Sequence, residues 1–481
     1  MTTATTNDIG PVRPMGLHER YSLTRQNLGH PHTILHVVTY PAAQLPKLSF
    51  MEARVVELQA RLPMLHPRFV DTKTNHPGYV AGAVWPANKI VREVTFTPAA
   101  TGHDESLALY NAEMLRFSAV DYDTEPMWAV TLASAPGAEH AYLLVAFTHP
   151  IIDGRGSSFM LRALTAENID YIETETWEGP KGCDETVSTK PSLGFLLPIV
   201  FRELLLPKMP LFIQRPFLSD EPWPADAVKG SVVNSTQDID LVSIDQDVTT
   251  RAKAAGKEHG VATLHPVVKM AWVAALWRVF HKDAKPFHCS AGSARDERNA
   301  ELGHAAITHN YVSATEWEAT LTGDEQFWDV AKQIAYQVSS DHGITEGRMT
   351  MGLLAHIPDP DVDPASKDYD PKLPTGWEKY FHGRATSENP YRGSASFSNL
   401  GYYALPPGAT DAMWGQTASP FGPAYQVSIN GHEGGVRLTA SFRDGAVTDK
   451  QHTHDLHAVY LRVMERVAAG ESDKTIDEIT Q

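Results

Sequence analysis

Ala141-Tyr-Leu-Leu-Val-Ala-Phe-Thr-His149-Pro-Ile-Ile-Asp153-Gly154-Arg-Gly-Ser-Ser158 joins an apolar run of strand length to a helical pattern, Phe159 to Leu164. The run from Tyr142 to Thr148 is apolar on both faces, which predicts a strand in the middle of a sheet. It delivers His149, and Asp153-Gly154 follows four residues later. A glycine-containing turn keeps the approach to a strand-end side chain clear. An imidazole in that position can take a proton from a hydroxyl or amine near neutral pH. Asp153, directly before Gly154, suits an anchor paired with an arginine or with backbone N–H groups better than a second proton carrier. Spacing alone leaves a structural histidine as the commoner account.

The flanks alternate in type. Leu17 to Gly29 predicts a short helix ending on glycine, and Thr33–Tyr40 a strand closed by Pro41. Ser49-Phe-Met-Glu52 resembles a capping box opening a helix to Leu62. Strands are expected at Ile90–Phe96 and Trp128–Ala133, with a helix from about Glu105 to Phe117 between them. After about residue 175 the composition shifts: Pro191 to Phe217 is rich in Leu, Phe and Pro. The expected organisation is an N-terminal subdomain over 1–190, a crossover over 191–237 and a second subdomain over 238–481. Phe195–Leu206 is either an amphipathic membrane-surface helix or a linker helix packed on the protein; Pro198, Arg202 and Glu203 inside it favour packing.

The second half repeats the style of the first. Leu264–Phe280 is a strongly apolar helix, Pro286–Ala291 and Ile307–Ala314 are expected strands, and Phe327–Val338 another helix. Ile357–Asn389 reads as loop-rich. Strands return at Ala395–Ser398, Tyr425–Asn430 and Val436–Phe442, the last two joined at Gly431–Gly435, and a helix from about Asp449 to Val467 closes the chain.

With 481 residues, two domains are the prior. A formal net charge of −17 argues against nucleic acid and anionic membranes as principal partners, though not against a small anion met by a local basic cluster. Cys183 and Cys289 indicate neither a disulfide framework nor a thiolate zinc site. The N-terminus lacks the basic start and apolar core of a signal peptide, and no charge-free run of spanning length occurs. A cytoplasmic monomer is expected, with a peripheral membrane contact through 195–206 left open. Neither His30, His32 and His36 nor His452, His454 and His457 match a standard zinc spacing, so no metal is expected and solvent-facing histidines are the plainer account. Gly154-Arg-Gly-Ser-Ser-Phe159 lacks the third glycine of a dinucleotide fingerprint, and no G-x-S-x-G elbow occurs.

His149-Pro-Ile-Ile-Asp153-Gly154 resembles the His-x-x-x-Asp-Gly signature of the chloramphenicol acetyltransferase-like superfamily, which includes BAHD acyltransferases, condensation domains and fungal alcohol acetyltransferases. Glu19–Gly29 and Ser396-Phe-Ser-Asn-Leu-Gly401 are similar to segments of the alcohol acetyltransferases, and Thr263–Trp272 resembles the first long helix of the second domain. Asp-Phe-Gly-Trp-Gly of the plant branch is absent, its nearest echo being Pro420-Phe-Gly-Pro423. The resemblance implies two α/β subdomains with mainly antiparallel or mixed sheets and an active-site channel between them. It implies His149 as general base for attack of an acceptor hydroxyl on an acyl thioester. Asp153 would then be a structural anchor beside Gly154, paired with Arg295 or Arg298 of the second domain. Ser398 and Asn399 are the candidate oxyanion donors, unless they merely form a strand-end turn closed by Gly401. No bound cofactor is implied. Acyl-CoA, most simply acetyl-CoA, is the expected cosubstrate and a small-molecule alcohol the acceptor. Lys269, Arg278, Lys282 and Lys285 form the basic stretch that could meet its phosphates or simply be a solvated helix end. A condensation-type enzyme fed by a carrier protein, and a degenerate binding protein, are the alternatives.

Overall fold

A computed structural model describes residues 11–481 apart from 178–181, 211–212, 214–221, 225–231, 282–285, 299–306, 362 and 368. Its frame is two sheets. The first has five strands in the order Asp411–Gln416, Thr33–Pro41, His140–Thr148, Trp128–Ser134, Val91–Thr95. All neighbours are antiparallel except Val91–Thr95 against Trp128–Ser134. The motif strand is the third of five, and every residue from Ala141 to Thr148 is buried, as its two-sided apolar pattern requires.

The second sheet has six strands, in the order Val312–Leu321, Phe287–Asp296, Ala395–Tyr402, Tyr425–His432, Gly435–Asp444, Thr236–Asp245. Ala395–Tyr402 runs parallel to both neighbours, and the remaining pairs are antiparallel. One face packs on the helix Leu264–Phe280, whose buried side chains include Val267, Met270, Trp272 and Leu276. Such a helix is apolar around most of its circumference and has to be enclosed. The fold is thus the expected two-subdomain α/β architecture with mixed, mainly antiparallel sheets.

The division at 238 is crossed by Asp411–Gln416, which leaves the second half of the chain and pairs with Thr33–Pro41. Met413 and Trp414 are therefore buried in the first core, together with Ile239 and Leu241. Pairing extended further than short apolar runs suggested. Phe287–Asp296 and Val312–Leu321 form ten matched pairs, from Val312 opposite Asp296 to Leu321 opposite Phe287. Ile307–Ala314 consequently begins as bends and an isolated bridge, and only its end belongs to a strand. Gly376–Ala385, inside the stretch read as loop, is a helix capped by Thr375.

One local expectation differs. Leu48–Arg61 starts from Lys47 with no side-chain cap, so Ser49 is not a capping residue. Leu193–Val200 is helical but contributes no buried residue, with Leu193 and Leu197 74% and 61% exposed. Phe195, Leu196, Ile199 and Val200 are half-buried and Leu206 is buried, so one face of the segment rests on the protein while Leu197 faces out. No helix among the described residues is long and apolar enough to cross a membrane.

Candidate active site between the two sheets

The strand Ala141–Thr148 ends with the N–H of His149 donating to the carbonyl of His32 at 2.8 Å. The carbonyl of His149 accepts from Asn310 Nδ2 at 2.7 Å, so the second half of the chain holds the histidine backbone from the other side. The ring is stacked on His32 at 4.0 Å and lies 5.2 Å from His18. His149 is 4% exposed, and its Nδ1 has no hydrogen-bond partner among the described residues. Burial, reinforced by the neighbouring His18 and only partly offset by Asp153, lowers its pKa to about 3. The imidazole is accordingly neutral at physiological pH, the form that accepts a proton.

Asp153 ends in full satisfaction rather than availability. Its carboxylate accepts from Arg298 Nη1 at 2.9 Å and Nη2 at 3.0 Å, from the N–H of Gly156 at 2.7 Å and from the N–H of Tyr311 at 2.8 Å. Burial alone would raise its pKa, but the Arg298 guanidinium and the two backbone N–H groups outweigh that and hold it below the usual carboxylate value. The aspartate is also the N-cap of the helix Gly154–Thr165. That cap starts the helix directly after the motif, several residues before the apolar pattern at Phe159.

Gly154 does not adopt a left-handed conformation, so its role is not the turn. A Cβ there would meet the Trp414 ring at 3.1 Å and Leu400 at 3.3 Å. Gly156 is tighter, since a Cβ would lie 2.0 Å from the carbonyl of Ile307. Both glycines let the first turn of the helix sit against the second half of the chain.

Arg298 is therefore the arginine that meets Asp153, with a side chain 1% exposed and a second carboxylate, Asp296, at 2.9 Å. Arg295 does not reach Asp153. It lies inside the strand Phe287–Asp296, 35% exposed, with its nearest carboxylate Glu297 at 3.4 Å. Ser398 and Asn399 line the same cavity as His149. Ser398 Oγ accepts from Gln426 Nε2 at 3.4 Å and leaves its own proton to donate. Asn399 is committed elsewhere: Oδ1 accepts from the N–H of Gly401 at 2.8 Å, and Nδ2 donates to His265 Nδ1 at 3.2 Å. Gly401 has φ +73°, so Asn399 closes the strand-end turn that was its plainer reading.

Of the basic stretch, the two described residues are occupied elsewhere. Lys269 is 1% exposed, with Nζ donating to the carbonyl of Ala291 and to Ser293 Oγ, and burial lowers its pKa to about 8. Arg278 pairs with Asp477 at 3.0 Å near the other end of the same helix. Lys282 and Lys285 lie outside the described residues. Nor are His32 and His36 solvent-facing: they are 8% and 0% exposed, and His36 Nε2 shares a 2.8 Å hydrogen bond with Ser157 Oγ.

The cavity holds about 340 Å³ and brings together residues from both halves, including His18, Arg25, His149, Arg295, Ser398 and Trp414. His18, Ser22 and Arg25 occupy positions i, i+4 and i+7 of the helix Leu17–Asn27 and so share a face. That helical spacing is the signal in the sequence for His18 and Arg25, which lie outside the His-x-x-x-Asp-Gly motif. Trp414 carried no such signal, because a six-residue strand from a distant part of the chain places it.

Neither a family model nor a curated protein sequence matches this chain. Solved structures do. It is similar to the condensation domain from the Monacolin K polyketide synthase MokA, with 11% identity, 98% of this chain and all of that one covered, and a TM-score of 0.63. Polyketide synthase associated protein 5 from Mycobacterium tuberculosis matches at 11% identity over 95% of this chain and 100% of its own, TM-score 0.60. The first condensation domain of the calcium-dependent antibiotic synthetase matches at 14% identity over 98% and 99%, TM-score 0.60. At these identities the likeness is one of fold: the chain has the two-domain architecture of condensation domains over nearly its whole length.

Proposed function

We propose that the protein is an acyltransferase that moves an acyl group from a pantetheine thioester to a hydroxyl of a small molecule, with His149 as the general base. The observation that carries this is the division of labour inside the motif. Asp153 spends both oxygens on Arg298, Gly156 and Tyr311, while His149 keeps a neutral ring at a cavity shared by both sheets. A neutral imidazole takes the acceptor proton as the oxygen attacks the thioester carbonyl, and returns it to the departing thiolate. Ser398, on the facing sheet, is the donor available to the tetrahedral oxyanion. One base then serves both proton transfers without a covalent enzyme intermediate.

A thioester tethered to a carrier protein is the favoured donor, supported by the condensation domains among the fold neighbours. Free acyl-CoA, including acetyl-CoA, is the second reading. It is carried by the motif's resemblance to stand-alone alcohol acetyltransferases; nothing beyond the thioester is required as cofactor in either case. The two are separated by offering purified protein an acyl-loaded carrier protein or the same acyl-CoA, each with a panel of hydroxylated acceptors, and following ester by mass spectrometry. Ester from the carrier arm at a higher kcat/KM supports the first donor, and the reverse order supports the second. Thiol release without ester in either arm would mean hydrolysis and contradict acyl transfer.

A further inference from the structure

Among the described residues, the cavity beside His149 is lined by four arginines, Arg25, Arg155, Arg295 and Arg298, against a single carboxylate, Asp296. Their partners separate them. Arg298 is neutralised by Asp153 and Asp296. Arg295 approaches Glu297 only at 3.4 Å, and that carboxylate is already engaged by Arg348 at 2.6 Å and by Ser313 at 2.6 Å. Arg155 donates to the carbonyl of Leu400 at 2.9 Å and lies over the Phe159 ring at 4.9 Å, with no carboxylate partner among the described residues.

Arg25 is the sharpest case. It is 3% exposed, and among the described residues it donates only to neutral oxygens. Nε donates to the carbonyl of His30 at 3.0 Å, and Nη2 to Thr417 Oγ1 at 3.2 Å and to the carbonyls of Pro31, Thr417 and Ala418 at 3.3–3.4 Å. Burial draws its pKa below the usual arginine value, with Arg443 adding repulsion. Desolvating a guanidinium costs several kcal/mol unless an opposite charge approaches. In a chain of formal charge −17, a cavity wall of this kind runs against the overall balance.

We propose that the cavity receives a ligand bearing an oxyanion, a carboxylate or phosphate, held by Arg25, Arg155 and Arg295. This rests on the acyl-transfer reading of the same site and adds the class of molecule that enters it. Arg155 opens the helix that Asp153 caps, Arg25 shares a helix face with His18 and Arg295 lies in the strand Phe287–Asp296, so the cations reach the cavity from three separate elements. Planar guanidinium groups suit carboxylate and phosphate oxygens geometrically as well as electrostatically. The anion has two sources, an acidic acceptor or the phosphate of the pantetheine donor.

Calorimetry with matched pairs tests this. One arm uses ω-hydroxy acids of graded length against their methyl esters, and the other phosphopantetheine against pantetheine. At least one anionic member is expected to bind 10-fold or more tightly than its neutral match, with the preference weakening as salt rises. Arg155→Gln or Arg295→Gln, compared with the parent at matched melting temperature, should cut that preference at least three-fold; both sites lie outside the carbonyl-capping network of Arg25. The arm that responds identifies the source. Equal affinity within both pairs, no binding by either anionic probe, or a preference undiminished in both variants would overturn the proposal. His149→Ala keeps the anion preference while losing transfer, so failure of the acyl-transfer reading would be seen separately.

Discussion

At the residue scale the motif separates into a buried neutral histidine and an anchored aspartate. Exchanging Asp153 for Asn leaves the Arg298 guanidinium, 1% exposed, without its buried counter-charge. Breaking such a pair from one side costs on the order of 3–5 kcal/mol. Urea unfolding of Asp153→Asn should therefore show a loss of about 3 kcal/mol, and an unchanged midpoint would contradict the anchoring role. Position 153 was legible as an anchor from its place before a glycine, and an arginine partner was foreseen. That the partner is Arg298 rather than Arg295 depended on the strand Phe287–Asp296 running on to its end, which puts Arg295 inside the strand and Arg298 just beyond it. The oxyanion candidates likewise divided only in space, through Asn399 closing its turn on Gly401.

At the scale of elements, strongly periodic segments were readable and borrowed ones were not. Leu264–Phe280 and the strand before His149 announce themselves by apolar pattern, because their burial is continuous. Asp411–Gln416 could not be read locally, since its strand character comes from pairing with Thr33–Pro41 across most of the chain. The helix start at Gly154 was hidden by small residues that look like a loop but are required for close approach. Gly156→Ala would force a methyl group to within 2.0 Å of the Ile307 carbonyl, so thermal unfolding should reveal a loss of at least ~2 kcal/mol. Leu197→Gln, on a helix with no buried residue, should stay within about 0.5 kcal/mol of the parent in the same assay. A large loss at Leu197 would show that the outward face is covered after all.

At the scale of the whole molecule, histidine burial dominates the response to acid. His36, His149 and His265 are brought to about 3 and His30 to about 4, each chiefly by burial. An unfolded chain protonates these groups near pH 6.5 and the folded one does not, so the unfolded state binds more protons through that window. Stability is then complete above about pH 6.5 and falls as pH drops toward 4, by up to ~1.4 kcal/mol per pH unit for each group. Chemical denaturation between pH 7 and 4.5 should show that decline, and a flat profile would contradict neutral buried histidines. The same neutrality bears on catalysis, because a base already deprotonated throughout this range imposes no acid limb near 6.5 on kcat/KM while the fold survives.

The two-sheet architecture follows from pattern, but the site exists only where both halves meet, and its central claim concerns one side chain. Acyl transfer from a pantetheine thioester to a hydroxylated acceptor, measured as ester formed in wild type and His149→Ala at matched far-ultraviolet circular dichroism and melting temperature, tests it most directly. A loss of at least ~10²-fold in kcat/KM with the fold retained is the predicted result. Transfer by the folded variant at a rate near wild type would contradict the account.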